Sequence, residues 1–139
     1  MRRQRARGVS SRGLDPALAE EEARKSALIL EARLLRKQLD EEAAADKLAE
    51  AARIEERLAD ACAAKGLVEK SLLHRFSAVS CWAQAGNFYR AIALGREVLL
   101  QPGLPERLRT RVEEYVQTLR QRRARWYQAL APADAVGEG

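Results

Sequence analysis

Residues 83–102, "AQAGNFYRAIALGREVLLQP", decide how this chain is read. Small residues lead into Gly86-Asn87, and an aromatic pair follows. Apolar positions then recur at helical spacing through Phe88, Ala91, Ile92, Gly95, Val98 and Leu99 until Pro102-Gly103 breaks the run. Gly86 permits the positive φ that ends one helix, Asn87 starts the next, and Ala91 lets two helices approach. The stretch predicts a helical hairpin with Phe88 wedged between its arms.

The same punctuation continues outward in both directions. Upstream, a helix runs through Leu72, Phe76, Val79 and Ala83 to Ala85. Lys65-Gly66 stops the helix before it, residues 41–65, which carries a narrow stripe of Ala44, Leu48, Ala51, Leu58 and Cys62. Alanine is dense there, so the partner backbone must come close. Leu39-Asp40-Glu41 reads as a tight junction with Asp40 as N-cap. The first helix starts at Asp15 (N-cap) and Pro16 (N1), with Glu20, Glu21 and Glu22 near the positive end of its dipole. Its stripe is Leu28, Ala32, Leu35 and Leu39. Leu30 and Leu34 form a second face, which predicts neighbours on two sides. Downstream, Pro105 opens a fifth helix with Leu108, Val112, Tyr115, Leu119, Trp126 and Leu130, and packing is the expected role of Trp126, with stacking of Trp126-Tyr127 on a base as the alternative. No window shows the alternation of a strand. The fold class is all-α: two antiparallel helical hairpins plus a C-terminal capping helix. Residues 14–131 form a single helical domain between a flexible basic arm, 1–13, and a disordered tail, 132–139. An up-down helical bundle accounts for much of the same pattern.

Gly86, Asn87, Phe88, Ala91, Ile92 and Pro102 stand where a tetratricopeptide repeat places its turn, its aromatic, its small residue and its closing proline, and the stretch resembles that family. A second echo lies in "LLRKQLDEEAAADKLAEAARIEE", with Ala32, Leu35, Ala44 and Ala51 in matching places. The departures are specific. Leu39 replaces a glycine, Glu41 an aromatic, and Gly95 the second-helix aromatic. Ala44 and Ala91 lie further apart than the family's period of about 34 residues, so the second helix is extended. The resemblance covers roughly residues 26–131. It implies a TPR-like stack in which the first helix of each hairpin lines a concave face. Arg33, Arg36 and Lys37 on the first helix, with Ser80 and Gln84 on the third, would then meet a ligand. A cationic groove suits an acidic peptide segment. Ordinary surface pairing, such as Arg36 with Asp40, is the competing account of these charges.

Composition narrows the function classes. The chain has 139 residues, 47% hydrophobic and 32% charged, with a net charge of +5. That suits one modest soluble domain. Every apolar run is broken by charge, so no membrane span is expected. The basic N-terminus has no apolar segment behind it, which argues against a secretory signal and leaves a transit peptide open. A cytoplasmic setting follows, with Cys62 and Cys81 as small buried hydrophobes rather than a disulfide. No nucleotide-binding, metalloprotease or nucleophile-elbow motif is present. No enzyme activity, metal or cofactor is expected. The single histidine, His74, reads as a structural or surface residue, and the pairs Glu41-Glu42 and Glu55-Glu56 read as a solvated face.

The excess charge sits at the ends. Residues 1–13 hold five arginines and no acid, and "RQRRAR", residues 120–125, brings Arg120, Arg122, Arg123 and Arg125 together. Such a cluster solubilises a helix end, holds an acidic protein or contacts nucleic acid through phosphates. The combined expectation is a protein–protein interaction module, an adaptor or small subunit of a larger complex. The alternative is a nucleic-acid-binding accessory protein using its basic termini.

Overall fold

The computed structural model describes residues 16–130. The expectations for the arm 1–13, the Asp15 cap and the tail 132–139 lie outside the described residues. The chain is all-α. Its helices are α1 (Pro16–Lys37), α2 (Glu41–Ala64), α3 (Val68–Gln84), α4 (Phe88–Leu99) and α5 (Glu106–Leu130).

Three of the links are copies of one another: Gln38-Leu39-Asp40, Lys65-Gly66-Leu67 and Ala85-Gly86-Asn87. The middle residue is left-handed in each, with φ of 63° at Leu39, 77° at Gly66 and 86° at Gly86. The third residue has φ of −98°, −87° and −92°, with ψ of 77°, 74° and 76°. Each link closes with the same two bonds. Leu39, Gly66 and Gly86 donate to the carbonyls of Arg36, Ala63 and Ala83, and Asp40, Leu67 and Asn87 donate to those of Leu35, Cys62 and Trp82. This is the Schellman ending, which satisfies carbonyls a helix would otherwise strand. Asp40 and Asn87 then cap the following helices by accepting from the amides of Ala43 and Arg90. Leucine thus adopts a backbone that glycine adopts in the other two links, at a cost of roughly 1–2 kcal/mol for its Cβ.

Each helix packs chiefly on its neighbours in sequence: α1 on α2, α2 on α3, α3 on α4, and α4 on α5. Arg36 of α1 also donates to the Gln84 carbonyl of α3, and Phe76 of α3 meets Tyr115 of α5 edge to face at 5.8 Å. These ties set the odd helices along one side and α2 and α4 along the other. Ala44, Leu48, Ala51, Leu58 and Cys62 are all buried, as their spacing predicts, and Ala52, Ile54 and Ala59 widen that stripe. Gly95 has a packing reason. A Cβ there would lie 2.6 Å from Val116 Cγ2, so its absence sets the distance between α4 and α5.

Three expectations are corrected. Leu39 leaves the α1 stripe and is 84% exposed, because the left-handed turn swings it off the helix. Leu30 and Leu34 are each 58% exposed, because α1 begins the series and has α2 on one side only. Trp126 and Leu130 are exposed as well. They continue the phase of Val112, Val116 and Leu119, but α4 has 12 residues and α5 has 25, so the partner ends first. At 1.5 Å per residue α5 is longer by about 20 Å. No helix among the described residues is long and apolar enough to cross a membrane.

Candidate binding surface

The interior contains charge that the sequence pattern does not reveal. Glu55 and His74 are buried, and His74 Nδ1 lies 2.7 Å from Glu55 Oε1. Lys25 Nζ sits 3.3 Å from Glu55 Oε2 and 3.0 Å from Glu22 Oε2. One network therefore joins α1, α2 and α3. Burial alone lowers the Lys25 pKa, but the Glu55 and Glu22 carboxylates outweigh it and hold the ammonium above its usual value. Burial and the nearby Glu55 charge push the Cys81 thiol up to about 12, and burial raises Cys62 too. Both thiols are free and buried, which makes them poor nucleophiles. With His74 wholly inaccessible, the Glu55–His74 pair has no route to a substrate. It is part of the architecture.

Glu56 has a different structural task. Its carboxylate accepts from Trp82 Nε1 at 2.6 Å and from Arg90 at 2.6 Å, tying α2 to α3 and α4. The guanidiniums of Arg53 and Arg90 lie 5.5 Å and 5.9 Å from the Trp82 ring centroid. The solvated-face reading of Glu55-Glu56 is therefore wrong. Their partners are 19 to 34 residues away in sequence or lie on α1, out of reach of any local pattern.

The five residues expected on the odd-helix side fall into two kinds. Arg36, Ser80 and Gln84 form one connected patch. Arg36 donates to the Gln84 carbonyl, and Gln84 Nε2 donates to Ser80 Oγ at 3.0 Å. Arg36 also pairs with Glu41 at 3.3 Å, not with Asp40. A guanidinium on the last carbonyls of α3 suits the negative end of that helix. Arg33 and Lys37, by contrast, are exposed and have no ion pair among the described residues. Further along the same side, Phe76, Arg111, Glu114, Tyr115 and Thr118 line a hollow of about 280 Å³.

The second basic set occupies the projecting end of α5. Arg120, Arg122 and Arg125 are exposed, and Arg123 is half-buried. None of the four has an ion pair among the described residues, whereas Arg24, Arg36, Arg57, Arg75, Arg90 and Arg109 all do. Trp126 and Tyr127 are 53% and 59% exposed, with ring centroids 5.4 Å apart. Together with Arg123 they face Gly86, Asn87, Phe88 and Tyr89 across a groove of about 160 Å³. The two basic sets thus flank the same α3–α4 link, Arg36 at Gln84 and Arg123 at Gly86–Tyr89.

No family model, no curated protein and no solved structure matches the chain.

Proposed function

We propose that the protein is a non-enzymatic interaction module of the cytoplasm, a TPR-like helical stack that docks an acidic segment of another protein. The observation that carries this reading is the patch built by Arg36, Ser80 and Gln84, with Arg33 and Lys37 exposed beside it and without an ion pair among the described residues. The patch crosses from α1 to α3, so a partner lying along the odd helices meets cationic groups and then the Phe76–Tyr115 hollow. Serial packing supports the stack over a closed bundle, in which the last helix returns to the first.

The structure also decides which variant tests the idea. Arg36 holds the end of α3, so reversing it mixes docking with stability. Arg33 and Lys37 are exposed, and reversing them leaves the fold nearly unchanged. The test is affinity capture from the native host after nuclease treatment, with the parent and the Arg33→Glu/Lys37→Glu variant. A protein retained by the parent and lost by the variant supports the reading. Equal capture by both overturns it.

A further inference from the structure

We propose that the projecting end of α5 is a second site, which binds single-stranded nucleic acid. It goes beyond the docking reading and uses different residues. From Tyr115 to Leu130 the chain carries four arginines and no acid. Among the described residues none of the four has an ion pair, whereas six other arginines do. An uncompensated cluster of this kind attracts a polyanion.

The rings specify which polyanion. Trp126, Tyr127 and Tyr89 are exposed by 53%, 59% and 79%, around a groove into which Arg123 also faces. Trp126 and Tyr127 are in phase with the core stripe but lie at the N-terminal edge of α4, which covers them only in part. Four guanidiniums alone fit any acidic chain, and exposed rings alone fit any apolar group. Set side by side on about two turns of helix, with Tyr89 across the groove, they match a chain that repeats an anion and a flat ring at every unit. Single-stranded nucleic acid is that chain, its phosphates meeting the arginines and its bases stacking on the rings. Duplex bases are already stacked on one another and leave Trp126 and Tyr127 without partners. An acidic peptide supplies the charge without the recurring ring.

The experiment uses the full chain and three fluorescein-labelled probes: an oligothymidylate of about 15 nucleotides, within the known range of such sites, a duplex of the same length, and a peptide alternating Glu and Leu. The oligothymidylate should bind saturably and quench Trp126 fluorescence. Its affinity should fall with salt on a log–log slope of about −3 if all four arginines contact phosphate. Trp126→Leu keeps an apolar side chain and should still weaken binding roughly 5- to 100-fold. Arg122→Glu/Arg125→Glu should weaken it too and flatten the salt slope by at least about 1. Circular dichroism melts of both variants should match the parent, because these side chains are exposed. Arg33→Glu/Lys37→Glu should bind the oligonucleotide like the parent, so the two sites fail or stand separately. Absence of saturable binding, tighter binding of duplex or peptide, or indifference to Trp126→Leu would each overturn the proposal.

Discussion

Between α1, α2 and α3 the helices meet across a polar network of buried Glu55 and His74 and half-buried Glu22 and Lys25. Between α4 and α5 they meet across a missing side chain, where Gly95 admits Val116. The contrast separates two ways of fixing a helix pair. A buried ionic network penalises every arrangement that leaves one member alone, and so selects a register. A glycine against a branched side chain selects a distance, and tolerates other arrangements better. The first half of the stack should therefore be intolerant of losing a single partner. The second should be sensitive to volume.

The largest expected effect comes from breaking the network. Glu55→Ala leaves buried His74 without its carboxylate and half-buried Lys25 with Glu22 alone, and should cost about 3–5 kcal/mol in denaturant unfolding. A loss under about 1 kcal/mol would mean that the network is decoration on an apolar seam. The same half has a signature in pH. The folded pKa of Lys25 is raised above its ordinary 10.5, so its contribution is fully present below that value and fades as pH rises through the folded value. The stability gap between the parent and Lys25→Met should thus be constant through neutral pH and shrink above about 10.5. A gap that persists into stronger alkali would remove Lys25 from the account.

Gly95→Ala probes the other half. Its methyl gains about 1 kcal/mol of helix propensity, yet it collides with Val116, and overpacking costs about 1–3 kcal/mol. Net destabilisation is expected, and Val116→Ala in the same chain should relieve it. A stabilised Gly95→Ala protein would show that α4 and α5 are loosely apposed.

The smallest effects belong to the links, one in each half. A Cβ at Gly86 meets nothing within 4 Å, so Gly86→Val should lose only the conformational term, roughly 1–2 kcal/mol. Leu39→Gly should do the reverse and gain up to about 1 kcal/mol, since relieved strain exceeds the added chain entropy and little apolar burial is lost. Equal melting temperatures for all three proteins would make the shared link geometry energetically idle.

The helices and their stops were legible because each depends on a few neighbouring residues. Gly86-Asn87 announces a turn, and Ala44, Leu48 and Ala51 announce a buried face. Leu39 reads both as the junction and as part of the apolar stripe, since nothing local separates a leucine in a left-handed turn from one on a helix face. Glu55 and Glu56 are illegible for another reason. A glutamate looks solvated until a lysine and a histidine from other helices are brought against it. Trp126 had the right phase, and its exposure depends on the length of α4 rather than on α5. The basic sets were visible as charge. Their convergence on one link, and the internal task of Arg36, required the packing order.

That packing order has a kinetic consequence. Because helices lie beside those next to them in sequence, few contacts await a distant part of the chain, and the entropy of closing long loops is small. Folding belongs in the microsecond-to-millisecond range of helical proteins, and opening can proceed piecewise from either end. The α2–α3 junction is the most extensive in the stack, and it is ringed by Glu55, His74, Ser71 and the clamp of Glu56 on Trp82. Its amides should be the last to exchange with deuterium, and those of the projecting turns of α5 among the first. The surface at the end of α5 is thus carried by a part of the molecule that costs little to rearrange.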